Sequence, residues 1–126
     1  MKKGIALGLA ASLALVVPAG IAAAGDRDVI REGSCSDSSD WKLKLSQEDG
    51  RIEAEFEVDQ NVTGDRWRVK IRHDGELAYR GRHRTAGPSG SFEVRIVEDD
   101  LSGPDRFRAR ARNLSTGEVC VGRATF

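Results

Sequence analysis

The sequence predicts an all-β protein, a seven-stranded antiparallel sandwich, and three observations support this fold class. After Trp41, apolar and charged residues alternate with a period of two, the spacing of a strand with one buried and one solvent-facing side. Turn motifs separate these segments at intervals of roughly 8–12 residues, which is typical of sandwiches. None of these segments has the three- and four-residue apolar spacing of a helix. A closed antiparallel barrel is the alternative.

Each predicted strand places its apolar residues on one face. In the second, Phe56 and Val58 alternate with glutamates. The predicted strands cover residues 41–47, 51–59, 65–73, 76–84, 91–98, 105–113 and 117–126. Asp49-Gly50 and Asp74-Gly75 predict two-residue hairpin turns, because both residue types tolerate positive φ. Residues 25–40 form a polar lead-in to the sandwich of residues 41–126, and Val29 and Ile30 could add a short edge strand to it.

The chain of 126 residues opens with a pattern typical of a secretory signal peptide. Lys2 and Lys3 precede an apolar run from Gly4 to Ala24 that ends in small residues. We therefore predict a signal peptide over residues 1–24 and a secreted mature protein without membrane attachment; an uncleaved anchor is the alternative. Removal of the two lysines changes the formal net charge from 0 to −2, with 18 basic and 20 acidic residues remaining.

The two cysteines are expected to form one disulfide, because an exported chain with two cysteines most simply joins them. Cys35 lies near the mature N-terminus and Cys120 near the C-terminus, so their bond would close almost the whole domain. In the chain-entropy model such a long loop contributes roughly 4–5 kcal/mol. Two free thiols are the alternative.

The strand pattern resembles a fibronectin type III domain or another immunoglobulin-like β-sandwich over residues 41–126. The run Trp67-Arg68-Val69-Lys70-Ile71-Arg72 is similar to strand C of that family, and Phe56 occupies the aromatic core position of strand B. Leu101 and Phe107 resemble the leucine before strand F and the aromatic residue that opens it. Phe107 lacks the hydroxyl of a tyrosine corner, and a bond between the cysteines near the two ends is not a usual feature of the family. The chain is also similar to small uncharacterised secreted proteins of high-GC Gram-positive bacteria.

The strand order of that family implies two sheets whose outward faces differ in charge. The first, second and fifth strands form one sheet, and the fourth, third, sixth and seventh form the other. The outward face of the first sheet is predicted to neutralise itself through Lys42, Lys44, Glu53, Glu55, Glu57, Glu93 and Arg95. The outward face of the second is predicted to carry eleven basic residues: Arg66, Arg68, Lys70, Arg72, Arg80, Arg82, Arg84, Arg106, Arg108, Arg110 and Arg112. Glu76 is the one acid expected in the same register.

Such a face predicts a secreted, non-catalytic binding module for an anionic extracellular partner, since guanidinium groups suit phosphate and carboxylate. An anionic glycan, a cell-wall polymer or an acidic protein would fit; nucleic acid is disfavoured because the face lacks aromatic residues for stacking. The alternatives are a solvated face that reflects a preference for arginine, an exported enzyme inhibitor acting through loops, or a purely structural surface protein. A monomer is expected. The face could also be covered by the protein's own acids, namely Asp26, Asp28, Glu32, Asp37, Asp40, Glu98, Asp99 and Asp100.

The sequence offers little for catalysis. It contains no P-loop, no Gly-x-Ser-x-Gly and no His-Glu-x-x-His motif. His73 stands beside the Asp74-Gly75 turn and His83 lies on the next strand of the same hairpin, and both are expected to be solvated hairpin residues. We therefore expect no enzyme activity, no metal and no cofactor.

Overall fold

The computed structural model describes residues 27–126, and the predicted signal peptide, residues 1–24, lies outside the described residues. Within them the chain forms eight strands and no helix: β1 (Val29–Ser34), β2 (Asp40–Glu48), β3 (Arg51–Asp59), β4 (Arg66–His73), β5 (Glu76–Arg84), β6 (Ser91–Asp99), β7 (Arg106–Asn113) and β8 (Val119–Thr125). The strands form two four-stranded antiparallel sheets, in the orders β1-β2-β3-β6 and β5-β4-β7-β8.

The predicted division of the strands between two sheets is confirmed, but the predicted count of seven is one short. The additional strand is β1, a six-residue strand that pairs with β2 from Val29 opposite Leu45 to Ser34 opposite Asp40. It includes the Val29 and Ile30 positions that suggested an edge strand. Its residues are mostly polar because it lies at an edge, so its hydrophobic period is too weak to read from the sequence.

The core lies between the two sheets and is built from the alternating apolar positions. Trp67, Phe56 and Phe107 are its largest fully or almost fully buried side chains. The buried tryptophan keeps its polar atom satisfied, since its Nε1 donates to Gln60 Oε1 at 3.0 Å. Leu101, by contrast, is 47% exposed and takes no core position, unlike the leucine that it resembles.

Both two-residue hairpin turns form as predicted. Asp49 and Gly50 have φ values of 50° and 78°, and Asp74 and Gly75 have values of 49° and 88°. Two consecutive positive φ values are the signature of the type I′ turn, whose twist matches that of the flanking strands. The second of these turns sets β5 beside β4, where most of the basic side chains project.

A disulfide and a buried carboxylate fasten the β1–β2 connection to β8. Cys35 and Cys120 are bonded, which confirms the predicted pairing. Beside the bond, Ser36 donates its backbone N–H to Val119 O at 2.8 Å. The buried Glu118 carboxylate accepts from the backbone of Asp37 and Ser39, at 3.0 and 2.8 Å, and from the Ser39 hydroxyl at 2.6 Å. A chain that keeps such a bond typically lies outside the reducing cytoplasm.

The Trp41 ring packs between Gly33 and Gly122. This packing gives a first testable prediction. A Cβ at Gly122 would lie 2.7 Å from ring atoms of Trp41, and one at Gly33 would lie 2.8 Å from the same ring. Gly122→Ala is therefore expected to lower the free energy of unfolding by about 1–3 kcal/mol through overpacking, measured by urea denaturation. The same substitution in a Trp41→Leu background should cost clearly less, because the crowded ring is gone. Equal costs in both backgrounds would contradict this packing.

Candidate anion-binding face

Basic side chains project from the outward side of all four strands of the second sheet. Their positions alternate with buried residues, as Arg68 and Lys70 do on either side of Val69. We call this set the basic face. It comprises Arg66, Arg68, Lys70 and Arg72 on β4, Arg80, Arg82 and Arg84 on β5, Arg106, Arg108, Arg110 and Arg112 on β7, and Arg123 on β8.

The strand register places these residues directly opposite one another. One row joins Arg82, Arg68 and Arg112 across three strands. The next row joins Arg80, Lys70 and Arg110. A third joins Arg72, Arg108 and Arg123. Arg66 faces Arg84 at one end of the face, and Arg106 faces Thr125 at the other. The structure thus brings all eleven predicted residues together in one patch.

The basic face has no acidic partner within the described part of the chain. No carboxylate of residues 27–126 lies within 4.0 Å of any of its side-chain nitrogen atoms. Three of the acids proposed as a cover pair elsewhere: Asp28 with Lys44 at 3.7 Å, Asp99 with Arg51 at 3.1 Å and Glu98 with His73 at 3.3 Å. Asp26 lies outside the described residues. The alternative that acids of residues 27–126 cover the basic face through ion pairs is therefore not found in the structure.

Glu76 is also not on this face, contrary to the prediction from its parity. The β4–β5 register shifts between Ile71 and Arg72, so that Arg72 faces Leu77 and the buried His73 faces Glu76. This β-bulge reverses the side to which the first residues of β5 point. As a result Leu77, which is 42% exposed, takes the outward position, and the one acid expected in this register leaves it.

Depressions cross the basic face between its strands. One, of about 530 Å³, lies over the β4–β5 pair and is lined by Arg68, Lys70, Arg80, Gly81 and Arg82. A smaller one of about 80 Å³ lies on the other side of β4, lined by Arg68, Lys70, Arg110 and Arg112. A third, of about 270 Å³, lies near the Asp74–Gly75 turn and includes Arg72, Arg106, Arg108 and Arg123. Phosphate, sulfate and carboxylate groups match guanidinium forks of this kind.

Sequence reasoning missed Arg123 because the alternation in the last strand is weak. There Val119, Val121, Arg123 and Thr125 face outward, and only one of the four is charged. The buried Gly122 offers no hydrophobic signal, although the flanking Cys120 and Ala124 have the right parity. Among the outward positions of the described sheet there is no aromatic side chain.

On the outward face of the first sheet most cations lie opposite glutamates, as predicted, but Glu57 also faces Glu93. Arg95 bonds to Glu53 and lies 3.8 Å from Glu48. The register also sets Lys44 opposite Glu55, which faces Arg95 on its other side. A hydrogen bond between the Glu53 and Glu55 carboxyl groups lowers the pKa of Glu53 and raises the pKa of Glu55.

His73 is buried among carboxylates, so the prediction that it is a solvated hairpin residue is wrong. Its side chain is 6% exposed and stacks on Phe107, with ring centroids 4.4 Å apart. The Nε2 atom lies 2.7 Å from Asp105 Oδ1, and Nδ1 lies 3.3 Å from Glu98 Oε1. Because Asp105 is fully buried and also accepts the Leu101 N–H at 3.1 Å, the cluster ties β4 to the β6–β7 connection.

Ligand atoms of His73, Asp74 and Asp105 lie within 4.8 Å of one another, a group that could hold a metal ion. The hydrogen bonds that these atoms already make allow the cluster to stabilise the fold by itself. Besides the bond between His73 and Asp105, Asp74 Oδ1 accepts the Arg106 N–H at 2.8 Å. The second histidine, His83, is half-buried: its Nε2 lies 2.6 Å from the Tyr79 hydroxyl, and its ring stacks on Phe92. Burial lowers the pKa of His83.

The His73 cluster predicts a bell-shaped dependence of stability on pH. Burial lowers the pKa of His73, but its bonds to Asp105 and Glu98 outweigh burial and raise this pKa above 6.5. Burial likewise raises the pKa of Asp105, but His73 and the Leu101 amide outweigh it and hold this pKa below 3.8. The His73 contribution is complete below pH 6.5 and is lost as pH rises through its folded pKa; the Asp105 contribution is present above pH 3.8 and is lost as pH falls.

We therefore expect the urea midpoint to be highest between about pH 4 and 6.5 and to fall on the alkaline side. His73→Gln should lower the plateau and flatten the alkaline fall, because a neutral amide does not titrate. An alkaline fall of the same size in that variant would contradict the assignment to His73.

Comparison of the chain with protein-family models, with curated proteins and with solved structures found no match. Among residues 27–126, no helix is long and apolar enough to cross a membrane.

Proposed function

We propose that this protein is a secreted, non-catalytic binding module that holds an anionic extracellular partner on the basic face. One observation carries the proposal: twelve cationic side chains lie on four neighbouring strands, and no carboxylate of residues 27–126 comes within ion-pair distance. Like charges directly opposite each other on paired strands destabilise a sheet. A bound polyanion removes that repulsion, so binding and folding favour the same arrangement.

A mere preference for arginine would give basic residues on both faces. Here the first sheet intersperses its cations with glutamates, as Lys44 and Arg95 do on either side of Glu55. The basic residues of the second sheet have no such neighbours. Near-zero net charge keeps long-range attraction weak, so the anion would be captured by local contacts rather than by the field of the whole protein.

The fold supports the proposal as a module of the immunoglobulin-like, fibronectin type III-like kind. Strands β2, β3 and β6 lie in one sheet and β5, β4, β7 and β8 in the other, as that family's strand order requires. The leader over residues 1–24 and the Cys35–Cys120 bond both favour export.

Retention on an immobilised polyanion tests the proposal. The mature protein should bind heparin-coated resin at low ionic strength and elute as salt rises, because released counterions drive such binding. Passage through the column without delay at low salt would overturn the proposal.

A further inference from the structure

We infer that the anion suited to the basic face is an extended polyol-phosphate chain lying along β4, with its phosphates in register with the side chains of that strand. This inference rests on the proposed function and names its ligand class. It follows from three features of the face: the central position of β4, the period of its side chains and the absence of aromatic rings.

Strand β4 lies in the middle of the basic face. It carries four outward basic residues, from Arg66 to Arg72, and has basic neighbours on both sides. The two depressions that flank it share Arg68 and Lys70 as their common wall. A chain that lies over β4 therefore meets cations directly beneath it and on both flanks, whereas one over β5 or β8 would meet them on one side.

The period of the strand matches a particular polymer. Outward side chains recur every second residue, which is six backbone bonds and about 7 Å. In a phosphodiester chain with a three-carbon linker, successive phosphorus atoms are also six bonds apart, through oxygen, three carbons and oxygen. When extended, such a chain repeats at about the same 7 Å, since its bonds have similar lengths. Successive phosphates of the extended chain can then contact successive cations of β4.

The lateral spacing adds contacts to each phosphate. Paired strands lie about 5 Å apart, so cations of β5 and β7 reach the same phosphate from the side. At Lys70, for example, the lateral partners are Arg80 and Arg110. A phosphate diester has two oxygens that share its charge and accept hydrogen bonds from forked N–H donors. Inorganic polyphosphate places its charges too close together to match the spacing of the basic face.

A nucleic acid has the same six-bond backbone but needs a place for its bases. Single-strand binders stack them on aromatic side chains. The outward positions of the described second sheet carry none, and beyond the cations they hold mainly aliphatic residues such as Leu77, Val119 and Val121. The polyol-phosphate chain, which has no bases, therefore fits this surface better.

Synthetic phosphodiester oligomers of equal phosphate number test the inference on the mature protein. The first probe has three-carbon linkers, made from 1,3-propanediol, and about ten phosphates; the second has hexaethylene glycol linkers; the third is oligothymidylate. We expect the three-carbon oligomer to bind at least about tenfold more tightly than the long-linker oligomer in fluorescence anisotropy at fixed salt, which is about 1.4 kcal/mol. We expect oligothymidylate to bind no more tightly than the three-carbon oligomer.

The outcomes separate this inference from the proposed function. Equal affinity of the protein for the three-carbon and the long-linker oligomers would overturn the inference that phosphate spacing matches β4. It would leave the proposed binding of polyanions intact. Tighter binding of oligothymidylate would overturn the polyol-phosphate assignment in favour of nucleic acid. No binding of any oligomer, together with no retention on heparin, would overturn both. In the double variant Arg68→Thr/Lys70→Thr the preference for the short linker should disappear, whereas Arg31→Thr/Lys42→Thr, off the basic face, should retain it.

Discussion

Removal of the Cys35–Cys120 bond is expected to lower the free energy of unfolding by about 4–5 kcal/mol. The two cysteines are 85 residues apart, so the bond restrains nearly the whole described chain in the unfolded state. It also fastens β1 and the turn after it to β8, which belongs to the other sheet. Domains of this size are stable by only about 5–15 kcal/mol, so the loss would leave a marginal protein.

Urea denaturation of Cys35→Ala/Cys120→Ala at neutral pH measures this loss. The buried Cys120 leaves a small cavity when truncated, so the reduced native protein, which keeps every sulfur atom, is the matched control. Both forms should show a lower midpoint than the oxidised protein. A difference below about 1 kcal/mol between oxidised and reduced protein would contradict the predicted role of the bond.

The second large effect is expected from three substitutions in the basic face. Arg68→Thr/Arg108→Thr/Arg110→Thr should weaken binding to the three-carbon phosphodiester oligomer by about 100-fold, if each lost contact contributes about 1 kcal/mol. Threonine suits a strand, so the change removes charge without penalising the backbone. The three positions lie in three consecutive rows of the face, so no phosphate chain along β4 can avoid them.

The same variant should be at least as stable as the native protein. Arg68 faces Arg82 and Arg112, and Arg108 faces Arg72 and Arg123, so the substitutions remove repulsions between cross-strand neighbours. The matched control is Arg31→Thr/Lys42→Thr/Arg51→Thr, which removes the same charge from the first sheet. It should bind as the native protein does. Equal weakening in both triple variants would mean that net charge, not the basic face, governs binding.

The alternating segments were predictable because each strand buries one side only. In β3 and β4 the buried positions, such as Phe56 and Ile71, are those that alternation selects, and the charged positions between them in β4 belong to the basic face. The hairpin turns were predictable for an equally local reason, the positive φ of Asp-Gly pairs. The cysteine pair needed only the inference of an oxidising compartment.

The missed features depend on contacts between distant segments. The bulge that removes Glu76 from the face arises from the β4–β5 register, which a single-strand pattern does not contain. His73 has the parity of a buried residue, but its partners Glu98 and Asp105 come from elsewhere in the chain. The acids proposed as a cover could not be placed from sequence, since their partners, such as Lys44 for Asp28, lie on other strands.

The salt dependence of binding tests the central claim, capture of a polyanion by the basic face, most directly. For single-stranded phosphodiesters the logarithm of the association constant falls with the logarithm of salt concentration, with a slope of about −0.7 per phosphate contact. Contact with four phosphates along β4 predicts a slope of about −3 for the native protein and a shallower slope in the Arg68→Thr/Arg108→Thr/Arg110→Thr variant, which lacks one cation at three of the four phosphates. A slope near zero for the native protein, or the same slope in both proteins, would contradict the claim.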